Sequence, residues 1–384
     1  MNKYFLFLLL LFSWTIGVCG ETASKPLIWN VSKLEVIRHG DYYETSRERI
    51  FKTADKYCEL SPVVVTDKTK SVVDDKHFYC QIAGYFWRDS TASGTYVNKD
   101  GYINPESEDY DFSRLKEMVR RCKFLSSAYY LSGEETYYIA YLKQLRAWFL
   151  DKKSCMYPNF SYSGVVPGQN GNKGAARGLA QSYVFIDLLE SLRLVNDTKK
   201  VDGKTYRAIQ KWFKKFIENV DADYGSSIKK VKNNIGSGYD ITLVYLYLFV
   251  GEKEKAKQLA EQFANKWLYK QIKENGEQPA ELRREAAFSY SVYNLTHIID
   301  FCFLYRYWGR DFYHENQERI DSAFSFLDQY AKNPSSFPYK QVSGWDDKIR
   351  NFNRQMDRLE RLRSGKDSIV PKVSRPLSVY EIIE

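Results

Sequence analysis

Along most of the chain, apolar residues return at steps of three and four, the spacing that puts them on one face of an α-helix. In 111–131, DFSRLKEMVRRCKFLSSAYYL, the residues Leu115, Met118, Val119, Cys122, Leu125 and Tyr129 form one stripe, and Gly133 offers a stop. Directly afterwards Tyr138, Tyr141, Leu142, Leu145 and Phe149 form a second stripe. The pair predicts an antiparallel helical hairpin with a very short turn. The same pattern predicts helices near 41–58, 177–195, 206–220, 240–250, 253–273, 284–307, 317–332 and 347–363, with NDTKKVDG, DADYGSS and GEKEK as turns between them. Alternation of period two never runs beyond a few residues. The expectation is an all-α chain of successive hairpins, with no Pro-rich or Ser-rich linker dividing it.

Three stretches depart from the helical pattern: 77–105, 155–175 and 227–240 are polar and aromatic. Long loops inside a compact domain are usually functional. A barrel of helical hairpins would gather them around one cleft. The charged run RNFNRQMDRLERLR, 350–363, is expected as a solvated helix face.

At the start of the chain, Lys3, an apolar run from Tyr4 to Val18 and then GVCGE read as a secretory leader cut after Gly20, leaving 21–384 as one domain. Cys19 offers lipid attachment as the alternative. Either way the chain is expected to be exported, to the periplasm or the cell surface. The leader is short for a membrane span, and no later segment approaches the ~20 apolar residues a span requires. The cysteines beyond it, Cys58, Cys80, Cys122, Cys155 and Cys302, are odd in number and form no CxxC pair, which argues against a disulfide framework or a zinc site.

Composition narrows the partner. A net charge of +9 suggests an anionic one, and export favours an acidic polysaccharide over nucleic acid. The 31 Tyr and 8 Trp supply faces for sugar rings to stack on and hydroxyl and indole donors for their hydroxyls, although many of them must be core. Phosphate loops, HExxH, GxSxG and nucleic-acid motifs are missing, and no carboxylate or histidine cluster has ligand spacing, so neither a cofactor nor a metal is implied.

Five segments resemble, in matching order from about 77 to 345, the alginate lyase family of (α/α)-toroid polysaccharide lyases. HFYCQIAGYFWRD at 77–89 and DGYINPE at 100–106 are similar to the family's HDYxSLxPYWWPD and DGxxNPE; RAWFLDKKSCMYPNFSYSGVVPG at 146–168 is similar to RAWFLDPxTxMxPNLxYxQxxPG. NNIGSGYD at 233–240 resembles NNHGTWYD, and QPAELRREAAFSYSVYNL at 278–295 resembles QPLELxRTxSxxYSxxNL. One departure is serious: Ile235 stands where the family has histidine.

The resemblance implies β-elimination on a uronate-containing chain of alginate or polyglucuronate type. The carboxylate is neutralised, the proton beside it is removed, and the 4-linked oxygen is expelled and protonated. It implies Tyr290 as the base and acid, Asn234 as the amide facing the carboxylate, and Arg284, at the family's ELxR spacing, as the cation. Arg283 and Arg284 precede Tyr290 by seven and six residues, so one helix would set either beside it. His77, Tyr85, Trp87, Arg88, Asn170, Asn233, Gln278, Arg283 and Tyr339 are candidate substrate contacts, with Phe86 beside them. Without the family histidine, either a tyrosine-only mechanism of narrower substrate choice or a chain that binds without cleaving follows. Of the four histidines, His39, His77, His297 and His314, His77 is the best substitute and His297 the next. A glycoside hydrolase on the same scaffold stays open, with Asp240 and Glu281 as the acids to test.

Overall fold

The computed structural model describes residues 25–40, 44–91, 94–198, 201–342 and 344–365. The expected leader, Cys19 and Gly20 included, lies outside the described residues. The regular structure of the described chain is mainly helix: α1 Val31–His39, α2 Glu44–Glu59, α3 Asp111–Ser132, α4 Glu135–Phe149, α5 Val184–Thr198, α6 Gly203–Ile228, α7 Asn234–Phe249, α8 Lys253–Glu261, α9 Tyr269–Gln271, α10 Pro279–Leu282, α11 Ala287–Tyr305, α12 Phe312–Glu315, α13 Gln317–Lys332 and α14 Trp345–Ser364. Four short strands, β1 Cys80–Ile82, β2 Phe86–Arg88, β3 Tyr96–Asn98 and β4 Tyr162–Val165, form a parallel pair β1–β4 and an antiparallel hairpin β2–β3.

Burial sorts the helices into two layers. Of sixteen residues in α7 thirteen are buried, and of nineteen in α11 fifteen, whereas α6 buries only eight of twenty-six. Helices apolar on all sides belong inside, and those with one apolar stripe belong outside. The contacts agree: α3 packs on α5, α5 on α7 and α7 on α11, while α4, α6, α8 and α13 lean on that inner ring. This is the (α/α) toroid, and one continuous hydrophobic cluster fills the space between its layers. The hairpin α3–α4 closes as the sequence predicts, with Gly133 left-handed at φ 76° and its N–H donated to the Tyr129 carbonyl.

The structure corrects several boundaries. The segment expected as a loop up to 240 is helical from Asn234, with the Asn233 side chain accepting from the Ile235 N–H as the N-cap. Its glycines serve close packing rather than turning: a Cβ on Gly236 would stand 2.4 Å from the Trp267 ring, and one on Gly238 2.6 Å from His297. DADYGSS is not a turn, since α6 runs through it to Ile228. The helix expected from 177 begins with a 3-10 stretch, Ala176–Tyr183, and the one expected over 253–273 breaks after Glu261 into a π turn, Ala264–Leu268. α11 starts only at Ala287, so Arg283 and Arg284 are not on the helix of Tyr290.

Nor is 350–363 a solvated face. Phe352, Leu359 and Leu362 are fully buried, α14 packs on α11, and buried Arg358 pairs with Asp300. An arginine stem on an amphipathic helix can cover apolar surface while its head finds an acid. Charge counting alone misjudged that helix.

Near the described amino end, Glu190 in α5 accepts the backbone N–H groups of Leu27, Ile28 and Trp29 and the Tyr245 hydroxyl. A fully buried carboxylate is tolerable only with such a set of donors. It ties the segment before α1 to the inner ring.

Candidate active site

Tyr290 lies in the first turn of α11, with its hydroxyl buried beside the Tyr85 phenol. The Arg284 guanidinium lies over its ring, 3.7 Å from the centroid, and the Tyr85 ring meets it edge-on at 6.4 Å. Asp100, in the turn after β3, holds Arg284 with two charge-assisted bonds, from Nε at 2.9 Å and Nη2 at 2.6 Å. The Glu285 N–H also reaches Asp100, at 3.1 Å. The sequence-based reason for placing Arg284 beside Tyr290, a shared helix, does not hold. The chain turns between α10 and α11, and Asp100 brings the arginine back.

Asn234, the first residue of α7, is 3% exposed. Its backbone N–H donates to Glu281 Oε1 at 2.9 Å and its Nδ2 to Glu281 Oε2 at 2.5 Å. Arg284 and Asn234 are thus each held by an acid of the protein. By donor count, Arg284 keeps its Nη1 edge and Asn234 one amide hydrogen for an incoming carboxylate.

The electrostatics follow from this packing. Burial, then the neighbouring Tyr85 phenol, pushes the Tyr290 pKa far up, and Arg284 offsets only part of that, so the resting side chain is a neutral phenol. Burial opposes the charge of Arg284, but Asp100 and the neighbouring Tyr290 and Glu281 hold its pKa above the ordinary guanidinium value. Asp100 is likewise penalised by burial, yet Arg284 and two backbone N–H groups keep its carboxyl below the usual range. Burial raises Glu281, against the Asn234 hydrogen bonds.

The structure separates the remaining candidates. Tyr85 reaches Tyr290; Trp87, on the same hairpin, donates Nε1 to the Tyr102 carbonyl at 2.9 Å with the Lys99 ammonium over its ring, and Arg88 is exposed beside it. His77 does not join this group: Nδ1 pairs with the Cys155 carbonyl at 2.6 Å and the ring stacks on Tyr157. Asn233 spends its side chain as a cap, and Gln278, 1% exposed, is locked to Asn294 and the Ser291 carbonyl. Asn170 occupies a left-handed turn position at φ 49° with an exposed side chain. Arg283 is exposed, and Tyr339 packs on Phe337.

His297 lies two turns beyond Tyr290 on α11, 1% exposed, between the rings of Tyr183 and Tyr293, with centroids 4.4 Å away in each case. Burial lowers its pKa to about 3, opposed only in part by the Asn234 backbone nearby. It is a neutral core imidazole. Ile235, half-buried in the first turn of α7, adds no polar group. Asp240 accepts from Lys266 Nζ and Trp267 Nε1, both at 2.6 Å, and Glu281 is taken by Asn234, so neither acid faces outward as a hydrolytic pair requires.

Asp100 was missed as a site residue, and Glu281 was considered only as a hydrolytic acid. The signal for Asp100 was an acid heading the DGYINPE motif, since a buried cation needs an anionic partner. Among the described residues no group of three His, Cys, Asp or Glu is placed to hold a metal ion, and no helix is long and apolar enough to cross a membrane. The described cysteines are unpaired.

A sequence model of the alginate lyase family matches residues 64–337. Among solved structures, the chain is similar to an alginate lyase from Bacteroides ovatus, with 29% identity and a TM-score of 0.83 over 91% of this chain and 97% of that one. It is similar in fold to alginate lyase A1-III from Sphingomonas species A1, at 15% identity and a TM-score of 0.55 over 90% of each chain. A tetrasaccharide complex of alginate lyase A1-III matches at 15% identity and a TM-score of 0.58, over 94% of each chain. No curated protein matches in sequence.

Proposed function

The chain belongs to the alginate lyase family and is a polysaccharide lyase, and on that premise we propose that it cleaves a uronate-containing acidic polysaccharide, of alginate or polyglucuronate type, with Tyr290 as both base and acid. The observation that carries this reading is the stack of Arg284 on Tyr290, fixed from behind by Asp100.

The uronate carboxylate is received by the free Nη1 edge of Arg284 and the remaining amide hydrogen of Asn234. Offsetting its charge acidifies the neighbouring C–H and stabilises the enolate-like state that follows. Tyr290, as phenolate, takes that proton. The electron pair forms the carbon–carbon double bond as the bond to the 4-linked oxygen breaks, and the regenerated phenol protonates the departing oxygen. Because one side chain serves both transfers, proton and leaving oxygen lie on the same face of the sugar. Ile235 offers no base on the opposite face, which narrows the substrate to one configuration. The fold neighbour recorded with a tetrasaccharide supports an oligosaccharide as the ligand class here too.

The reading includes export, to the periplasm or cell surface, on the strength of the apolar leader. The test is incubation of purified protein with alginate, polyglucuronate and glycosaminoglycans, followed by ultraviolet absorbance. New absorbance from the unsaturated uronate is expected. Reducing ends without absorbance would mean hydrolysis, and binding with neither would mean a receptor.

A further inference from the structure

The first residues of the 3-10 stretch Ala176–Tyr183 cross β4 at unusually short range. A Cβ on Gly178 would stand 2.4 Å from the Ser163 backbone, and one on Gly164, left-handed at φ 71°, would stand 2.8 Å from the Gly178 nitrogen and 3.0 Å from the Arg177 stem. Ser163 Oγ closes the crossing with a 3.0 Å bond to the Gly178 carbonyl. Two glycines therefore let the backbones touch, and the Arg177 side chain lies across the gap they leave. Its direction is set by the backbone.

Arg177 then rests on Phe86, its guanidinium carbon 5.0 Å from the ring centroid, with Nη1 3.4 Å from the Gly164 carbonyl. Among the described residues no carboxylate pairs with it. Phe86 directly follows Tyr85, whose ring meets Tyr290. The side chain is solvent-exposed, yet surrounding protein lowers its pKa, the combination expected on the wall of a concave cleft. An arginine held flat on an aromatic face, with its fork open to water, is preorganised for a carboxylate.

We propose that Arg177 forms a second carboxylate-binding subsite, which reads the uronate next to the one being cleaved and so selects polymers whose uronates are consecutive. The inference rests on the lyase reading above and deepens it. In polymannuronate, polyguluronate or polyglucuronate every sugar presents a carboxylate, so Arg284 and Arg177 are filled together. In hyaluronan the uronates alternate with an uncharged N-acetylated amino sugar, and the Arg177 fork faces a neutral residue.

The test compares wild type, Arg177→Gln and Arg177→Lys on these homopolyuronates and on hyaluronan, after circular dichroism and melting have shown that all three fold alike. Arg177→Gln is expected to raise KM for the polyuronate that is cleaved about 10- to 100-fold, the worth of a charge-assisted hydrogen bond. Its kcat should stay within about threefold, and Arg177→Lys, which keeps charge but not the fork, should recover part of the loss. An unchanged KM in Arg177→Gln overturns the subsite and leaves the lyase reading intact. If wild type yields no unsaturated product, calorimetry with the same polymers decides: affinity that falls in Arg177→Gln retains the subsite while the lyase reading fails, and equal affinity overturns it.

Discussion

Arg284 and Tyr290 meet face to face without sharing a helix. The guanidinium carbon lies 3.7 Å from the centre of the phenol ring, although the chain breaks out of helix between α10 and α11. Asp100 holds the guanidinium from behind, so the phenol, the cation and its anchor form one connected unit. Three of the following predictions probe that unit.

Tyr290→Phe removes the hydroxyl and keeps the ring on which Arg284 rests. Production of unsaturated uronate should fall by roughly 100- to 10,000-fold, the usual worth of a positioned acid or base. Oligosaccharide affinity, by calorimetry, should change by less than about threefold. Retained turnover would remove Tyr290 from the chemistry.

The rate should climb with pH. The folded-state pKa of Tyr290 lies above the ordinary phenol value of about 10, so at neutral pH only a small fraction is phenolate, and that fraction grows about tenfold per unit. Log kcat/KM should therefore rise with a slope near one from about pH 7 to pH 9 and show no plateau in that range. A flat profile would mean that another group takes the proton.

Asp100→Asn withdraws the charge that holds Arg284 but preserves the shape. We expect kcat/KM to drop about 10- to 100-fold, as for loss of a charge-assisted contact. The double variant with Arg284→Ala should cost little more than Arg284→Ala alone, because residues acting as a unit are not additive. Fully additive losses would show that the two act separately.

Ile235→His restores an imidazole beside Asn234, at a half-buried position where a side chain already stands. Activity should appear or rise on the polyuronate of opposite configuration at the reacting carbon. Comparing polymannuronate with polyguluronate reads the outcome, and an unaltered preference on both would mean that the opposite face is closed for other reasons.

Gly238→Ala tests the packing of α7 against α11. The added methyl would stand 2.6 Å from His297 Cε1, and overpacking of this kind costs about 1–3 kcal/mol. Urea titration should show a lower midpoint at unchanged slope. Combining it with His297→Ala should recover part of the loss.

The period of the apolar residues showed that the chain is a series of helical hairpins, and α13 was legible to the residue. What misled was composition near the site. Asn233, Gly236 and Gly238 look like a turn, yet one caps a helix and the others make room for Trp267 and His297, a demand that only tertiary packing creates. In the same way the Arg-rich end of α14 reads as solvated until Asp300 is seen beneath Arg358. Tyr290, Arg284 and Asn234 were singled out through their motifs, and the structure sets Arg284 on the Tyr290 ring. Asp100 and the true use of Glu281 were not, because both act on residues far away in sequence, at separations of 184 and 47.

In the candidate site Asp100 is paired with Arg284 and Glu281 with Asn234, so the positive end of each donor is largely spent inside the protein even though the whole chain carries +9. A lone uronate gains little by entering. A long polymer is drawn in by cations that meet several of its carboxylates at once, an avidity effect. Cutting the polymer divides that avidity between two shorter pieces, each held by fewer contacts. Product inhibition should therefore weaken as fragments shorten, and the reaction should run on after long chains are gone.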